Sequence, residues 1–230
     1  VSVENGITHI QMSRPDKRNN MNRAFWRELP QVVDKIDAEA QARVIVLSSM
    51  GPHFCGGIDV SMFGPSDEKV SDAPLPAHHV KRQKGLKFLD TVKSMQDSLS
   101  VLEQSRLPVL VAIQGGCIGG GVDLVTACDV RYATRDAFIT IYETKIGMTA
   151  DVGTFPRLVK LIPEGVVREL AYTGRRMPAE EAANVGLINR VFDTQEAMLE
   201  GVMEVAREIA ANAPLAVHGC KRAITYARDH

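Results

Sequence analysis

The sequence lacks any strong excess of charge and any long apolar run. Its formal net charge is −1, from 27 Lys and Arg against 28 Asp and Glu, so nothing in the composition favours a nucleic acid or a strongly charged partner. The longest apolar runs, such as LPVLVAI, are too short to cross a bilayer. We therefore expect no nucleic-acid partner and no membrane segment. With 230 residues, 45% of them hydrophobic, the chain is long enough to bury a sizeable core.

Cysteine is also scarce, and its spacing does not match the common metal motifs. There is no C-x-x-C pair and no cysteine close to a His at ligand spacing among Cys55, Cys117, Cys128 and Cys220. We predict reduced and mostly buried thiols, no metal site and a reducing compartment. No charged-then-apolar leader is visible at Val1, and the lack of an initiating Met leaves open a leader or transit segment that has been removed.

Apolar segments with strand patterns alternate with helical ones, which is typical of an α/β fold. The predicted strands are ITHIQM, VIVLSS, VLVAI, VRYA and FITI, and a further short strand is predicted within 186–191. Helical spacing predicts helices near 21–38, where Pro30 is expected to kink or shorten the helix, and near 86–105. The chain is predicted to be mostly helical after about residue 152. Pro, Ser and mixed charges predict a long surface loop over 62–85.

The stretch GGCIGGGVDLVTACD follows a predicted strand and opens a predicted helix. The first N–H groups of a helix have no internal acceptor, and glycine lets a ligand approach them closely, so this junction suits an anion. The spacing is neither G-x-G-x-x-G nor that of a phosphate loop, and there is no G-x-S-x-G nucleophile motif. We therefore favour a developing oxyanion over a dinucleotide phosphate as the bound group.

Three segments of this sequence resemble the enoyl-CoA hydratase/isomerase (crotonase) family. They are GGCIGGGVDLVTACDVRYA, the loop HFCGGIDV and the entry RPDKRNNMN, in the order and at the distances of that family. The resemblance implies a spiral of ββα units over 1–190, followed by a mostly helical segment over 191–230 that is expected to be truncated. It also implies homotrimers or homohexamers and a coenzyme A thioester as substrate, with no separate cofactor.

The same resemblance implies two main-chain N–H donors for the thioester oxygen, carried by Ile58 and Gly120. Losing one such donor commonly adds about 3 to 4 kcal/mol to a reaction barrier. The substrate-binding residues implied by motif position are Gly56, Gly57, Ile58, Asp59, Val60 and Gly120. The alternative interpretation of the glycine motif is a helix packed closely against a neighbour through its glycines.

Three acids decide between the reactions of this family. Asp123 and Glu143 take the positions of two glutamates in the hydratases, and Asp151 stands where a hydratase would carry a small residue. The set Asp, Glu, Asp resembles the Δ3,5-Δ2,4-dienoyl-CoA isomerases within the family. That subgroup implies conversion of a 3,5-dienoyl-CoA to a 2,4-dienoyl-CoA in fatty acid β-oxidation.

Such an isomerisation removes a proton beside the thioester and delivers one four carbons away, so two separated carboxyl groups suit it. We assign Glu143 to the carbon beside the thioester and Asp151 to the distal carbon, with Asp123 orienting or polarising. The alternative enzyme is an enoyl-CoA hydratase that uses Asp123 and Glu143 on a water. A member that only binds RNA or protein is disfavoured by the intact acid trio and the balanced charge.

Two further expectations concern the coenzyme and the compartment. Lys17 and Arg18 lie in the loop that the family places near the coenzyme phosphates, where basic side chains are suitable, although a solvated surface pair is at least as consistent with the sequence. Arg175 and Arg176 are predicted to be structural or surface charges. We expect a cytoplasmic enzyme in a bacterium, and a mitochondrial-matrix or peroxisomal one in a eukaryote.

Overall fold

The computed structural model of the protein describes residues 1–63 and 77–230. Within these two ranges, nine strands lie in two sheets. Their bounds in chain order are β1 Ser2–Glu4, β2 Ile7–Met12, β3 Val44–Ser49, β4 Val109–Ile113, β5 Gly116–Ile118, β6 Val130–Thr134, β7 Phe138–Thr140, β8 Met177–Pro178 and β9 Arg190–Phe192. The α-helices of the described residues are α1 Arg23–Glu39, α2 Ala77–Gln104, α3 Gly120–Thr126, α4 Thr154–Leu158, α5 Glu164–Thr173, α6 Ala179–Asn184, α7 Gln195–Ala211 and α8 Pro214–Asp229.

The larger sheet has the order β1-β2-β3-β4-β6-β9, and its neighbouring strands are parallel except for the antiparallel pair β1 and β2. Alternate residues of its central strands enter two different apolar clusters. In β3, Ile45 and Leu47 join the cluster that contains α1 and α2, whereas Val44 and Val46 join the one that contains α7. A sheet covered on both faces requires nearly continuous apolar strands, which explains the sequence VIVLSS.

Two helices illustrate how the flanking layers form. On α1, the residues buried against the sheet are Trp26, Leu29, Val33 and Ile36, at helical spacing. Asn22 caps this helix by accepting a hydrogen bond from the N–H of Phe25 at 3.0 Å. Pro30 lies inside α1. Because the helix continues to Glu39, the predicted shortening of the helix at this proline is wrong.

The smaller sheet has the order β5-β7-β8, with β5 parallel to β7 and β7 antiparallel to β8. Its strands are only two or three residues long. Because β5 leads directly into α3, the smaller sheet places the glycine-rich junction at its edge.

The prediction of a loop over 62–85 is wrong at its C-terminal end, because α2 begins at Ala77. The prolines of that stretch end at Pro76, and the following residues are compatible with a helix although they are highly charged. Met62 belongs to a 3-10 helix at Val60–Phe63, and 64–76 lies outside the described residues.

The predicted α/β architecture with a mostly helical C-terminal part is confirmed, since five of the helices follow residue 153. The buried Lys221 anchors α8, because its ammonium group donates to the carbonyls of Leu102 and Leu107 and pairs with Asp129, each at 2.8 Å. Within the two described ranges, no helix has the length and apolar character needed to cross a membrane. The division at residue 190 stays a prediction.

Candidate active site

Two glycine-rich loops, distant in sequence, are joined by a short parallel bridge between Cys55 and Cys117. The N–H of Cys55 donates to the carbonyl of Gly116, and the N–H of Ile118 donates to the carbonyl of Cys55, both at 3.0 Å. The bridge fixes the chain before Ile58 alongside the chain before Gly120, three residues beyond each bridged cysteine.

The N–H of Ile58 points away from Met21, the residue with which its backbone is paired. A second parallel bridge pairs Ile58 with Met21, and it uses the carbonyl of Gly57 at 2.9 Å and the N–H of Asp59 at 3.0 Å. Successive residues in extended chain point their N–H groups to opposite sides, so the N–H of Ile58 itself faces away from Met21. This leaves the donor available to a ligand.

Gly120 presents the second donor. It is the first residue of α3, where an N–H has no acceptor within the helix. Gly119 precedes it with φ +53°, and the N–H of Gly119 is already bonded to the carbonyl of Thr140 at 2.9 Å. A Cβ on Gly120 would overlap the Met21 methyl group and lie 3.5 Å from the nitrogen of Ile58. The absence of a side chain therefore keeps the two donors close together.

Both donor residues line a cavity of about 450 Å³. One wall is the glycine loop with Gly56, Gly57, Ile58 and Val60, and the opposite wall includes Phe138 and Thr140 of β7. These two β7 residues alternate along the strand and share one face of the smaller sheet. The predicted residues Ile58 and Gly120 are thus brought together in one concave site.

Glu143 is the predicted acid that lines this cavity. It begins the 3-10 helix Glu143–Ile146, and its Oε1 lies 3.0 Å from the position that a Cβ on Gly119 would take. Its Oε2 is buried and has no hydrogen-bond partner among the described residues. Burial raises the pKa of this carboxyl, and the charge of Asp151 raises it further. A carboxyl group beside the two donors, with one oxygen left without a partner, can act as a base on a substrate.

Asp123 lies behind the cavity wall rather than on it, and it is only 1% exposed. Its Oδ1 accepts two hydrogen bonds from Thr154, from the N–H at 2.6 Å and from the hydroxyl at 2.8 Å. Burial raises the pKa of Asp123 to about 7, although the bonds from Thr154 and the charge of Arg157 oppose this rise. Nothing in the sequence near Asp123 indicates Thr154 as the partner of this acid.

Asp151 is exposed and lines a second cavity, of about 360 Å³, rather than the one that contains Glu143. Polar and charged residues dominate the wall of this second cavity, including Gln96, Glu103 and Arg157. The charge of Asp151 nevertheless acts on Glu143 and raises the pKa of its carboxyl, so the two acids are electrostatic neighbours. The structure therefore places the two acids in separate cavities that share no lining residue among those that it describes.

The structure departs from the predicted substrate-binding set at Asp59. Its Oδ1 accepts bonds from the N–H of Ser61 at 3.1 Å and the hydroxyl of Ser61 at 2.7 Å, and its other oxygen lies 3.9 Å from Arg14. These hydrogen bonds lower the pKa of Asp59. The side chain serves its own loop and is not among the described residues that line the cavity.

Two arginines add positive charge to the cavity. Arg18 and Arg176 both line it, whereas Lys17 does not. The guanidinium of Arg176 lies 4.3 Å from the ring centroid of Phe138, a cation–π contact that orients it along the wall. As predicted, Arg175 is a structural charge, paired with Glu169 and Glu181, and Arg176 is exposed at the surface. The contact of Arg176 with the cavity was not predicted. Nothing in the local sequence distinguishes these two arginines.

The cysteines near the site are packing residues. Cys55, Cys117 and Cys128 are buried and Cys220 is exposed. Burial raises the pKa of Cys55 and of Cys128 to about 12, which keeps these thiols protonated and unreactive. In the described parts of the chain, no group of three His, Cys, Asp or Glu side chains is arranged to hold a metal ion.

Comparisons with known proteins agree with this arrangement. The sequence model described as enoyl-CoA hydratase/isomerase matches residues 2–229. A mitochondrial Δ3,5-Δ2,4-dienoyl-CoA isomerase of Homo sapiens is 41% identical over 230 residues, which are 100% of this chain and 68% of that protein. A peroxisomal Δ3,5-Δ2,4-dienoyl-CoA isomerase of Arabidopsis thaliana is 36% identical over 231 residues, covering 99% of this chain and 80% of that protein.

A solved structure shows the same fold. The structure of an enoyl-CoA hydratase subunit from Geobacillus kaustophilus superposes with a TM-score of 0.85 at 30% identity, over 100% of this chain and 81% of that one. The family match over nearly the whole chain, the curated relatives and the shared fold all point to the same assignment. This chain belongs to the enoyl-CoA hydratase/isomerase family.

Proposed function

We propose that the chain is an acyl-CoA double-bond isomerase that converts a 3,5-dienoyl-CoA to a 2,4-dienoyl-CoA. The observation that carries this proposal is the different placement of the three acids. Of the three acids, Glu143 alone lines the cavity with the two donors. Asp151 lines a separate cavity, but its charge acts on Glu143, and Asp123 accepts hydrogen bonds from Thr154. The relatives named as dienoyl-CoA isomerases, at 41% and 36% identity, support the same reaction.

In the first step the thioester carbonyl accepts hydrogen bonds from Ile58 and Gly120. Glu143, in its ionised form, removes a proton from the carbon beside the thioester, and the electron pair moves onto the carbonyl oxygen as a dienolate. The two N–H donors stabilise this oxyanion because they are fixed before charge develops. Such donors commonly contribute about 3 to 4 kcal/mol each to the lowering of a barrier.

In the second step the dienolate collapses back to the thioester and takes a proton at the distal carbon from Asp151. The two double bonds then stand conjugated with the carbonyl, and no atom is gained or lost. Each turnover leaves Glu143 protonated and Asp151 ionised, so both must exchange a proton with solvent before the next. The exposure of Asp151 permits that exchange.

The placement of Asp123 argues against the alternative hydratase. Two carboxyl groups on one water require both to reach the cavity. The Oδ1 of Asp123 is already occupied by two bonds from Thr154, and this side chain does not line the cavity. We therefore assign Asp123 to orientation rather than to proton transfer.

The basic residues at the cavity support a coenzyme A thioester as substrate. Arg18 and Arg176 supply guanidinium groups of the kind that bind phosphate well. We propose that they contact the coenzyme phosphates, with a homotrimer or homohexamer as the assembled form. The two eukaryotic relatives are named as mitochondrial and peroxisomal, and for a eukaryotic source we propose an organelle of this kind.

The test follows deuterium at both ends of the diene. In heavy water the wild-type protein is expected to form the conjugated diene, seen by ultraviolet absorbance, with deuterium at the distal carbon. We expect Asp151→Asn to lower kcat by about a hundredfold to ten-thousandfold while exchange beside the thioester continues. Glu143→Gln is expected to stop both the isomerisation and the exchange beside the thioester, because no base is left to form the dienolate.

The matched control is Glu200→Gln, which neutralises an exposed glutamate on α7, and it should leave both signals unchanged. Full-rate isomerisation by Asp151→Asn would contradict the two-ended mechanism. Hydration of a 2-enoyl-CoA by the wild-type protein, without conversion of the diene, would instead establish the hydratase.

A further inference from the structure

Thr154 joins two parts of the molecule that carry acids. It is fully buried and is the first residue of α4, where a backbone N–H lacks an acceptor within the helix. The preceding residue, Gly153, has no side chain with which to cap the helix. The carboxylate of Asp123, which lies 31 residues earlier on α3, accepts from this N–H and from the Thr154 hydroxyl. An acid from another helix thus performs the capping.

The segment before Thr154 carries Asp151 and is held at further points. The side-chain amide of Gln96 on α2 donates to the carbonyl of Asp151 at 2.6 Å. Arg157 reaches back to the carbonyl of Gly153 at 3.4 Å and also bonds Ser100 of α2 at 3.1 Å. These bonds fix the backbone of the segment, and the hydrogen bonds from Thr154 to Asp123 connect it to α3, the helix that begins at Gly120.

We propose that Thr154 is a positioning residue, which holds Asp123 behind the cavity and sets the position of Asp151 relative to Gly120. The kinetic part of this inference rests on the proposed function, because Asp151 acts only if the two-ended mechanism holds. The structural part does not, because the bond between Thr154 and Asp123 can be measured without a substrate.

If this bond stabilises the protein, the stability lost on removing it should depend on pH, whereas a purely steric role would give no such dependence. Besides burial, the groups that act on Asp123 are the Glu143 carboxyl, which raises its pKa, and the Arg157 guanidinium, which lowers it. The thiols of Cys55 and Cys117 are also electrostatic neighbours. Both bonds from Thr154 stabilise the ionised form and so lower the pKa of Asp123. Loss of the hydroxyl therefore raises the pKa of Asp123. It should lower the stability of the protein most at pH values where Asp123 is ionised in the folded state.

The experiment compares Thr154→Val, which keeps the shape and removes the hydroxyl, with Thr154→Ser, which keeps the hydroxyl. We expect Thr154→Val to lower kcat at least tenfold with KM within about twofold of wild type, and Thr154→Ser to remain near wild type. The destabilisation by Thr154→Val, from urea unfolding, is expected to be larger at pH 8 than at pH 5. In an Asp123→Asn background that pH difference should disappear.

Three outcomes would overturn the inference. They are an equal destabilisation by Thr154→Val at both pH values, an unchanged kcat, and a Thr154→Ser variant as impaired as Thr154→Val. Failure of the proposed function looks different, because the wild-type protein would then not isomerise a dienoyl-CoA at all. The unfolding measurements still test the bond in that case.

Discussion

The larger and the smaller sheet of this chain differ in what lies on their faces. Strands β3 and β4 are buried throughout, between the α1 and α2 layer on one side and α7 on the other. In the smaller sheet, Ile118 of β5 and Phe138 and Thr140 of β7 line the cavity that also contains Glu143. A sheet that is covered on both faces has no surface left for a ligand. Its contribution is to hold the smaller sheet and its loops in place.

Of the variants that distinguish the site beside the smaller sheet from the larger sheet, Gly120→Ala is expected to have the largest effect on kcat. The added methyl group would overlap Met21 and lie 2.9 Å from Cγ1 of Ile58, so it pushes the two donors apart. Loss of one donor should lower kcat by about a hundredfold to a thousandfold. Turnover of a dienoyl-CoA, together with circular dichroism to check folding, measures this.

Gly85→Ala is the matched control for that variant. Gly85 lies in α2, and a Cβ built there meets no other atom within 4 Å. We expect unchanged kcat and a stability gain of about 0.5 to 1 kcal/mol, because alanine loses less chain entropy in a helix. Equal loss of activity in both variants would mean that the close approach at Gly120 does not matter.

Leu110→Ala in β4 is expected to lower stability while leaving activity unchanged, in contrast to Gly120→Ala. Leu110 is fully buried in the α7 cluster, so its truncation should lower the free energy of unfolding by about 2 to 5 kcal/mol. KM and kcat should remain near wild type at temperatures where the variant is folded. Leu86→Ala, at a position that is 51% exposed, is expected to change stability by less than about 0.5 kcal/mol. A large change in KM for Leu110→Ala would mean that the larger sheet also affects substrate binding.

The smallest effect concerns thiol reactivity. A chromogenic disulfide reagent is expected to label Cys220 alone in the native protein and all four cysteines after unfolding, because the other three are buried. Cys220→Ser should remove the native signal without changing activity. Fast native labelling of Cys55 would instead indicate that the bridge between the two glycine loops opens readily.

The sequence predicted the larger sheet well because its strands carry their own signal. Runs such as VIVLSS and VLVAI are apolar throughout, as burial on both faces requires, and they form β3 and β4 as predicted. The strand β8 is two residues long and exists only because β7 lies beside it. No local pattern can indicate so short a strand, since its hydrogen bonds come entirely from its partner.

The candidate site was predictable to the extent that its parts are continuous in sequence. The glycine segments and Glu143 stand in recognisable stretches, and the structure gathers them around one cavity. The bond between Asp123 and Thr154 joins positions 31 residues apart, and the chemistry of neither residue indicates the other. The separate cavity of Asp151 depends on α2 and α4 packing around it, which a linear pattern does not describe.

The bridge between Cys55 and Cys117 has an implication for how such a protein could diversify. The two N–H groups that we propose as oxyanion donors belong to the main chain, and their separation is set by backbone pairing rather than by side-chain identity. Mutation can therefore exchange the acids around the cavity while these two main-chain donors keep their positions. A scaffold built in this way can acquire a different proton-transfer chemistry through very few substitutions.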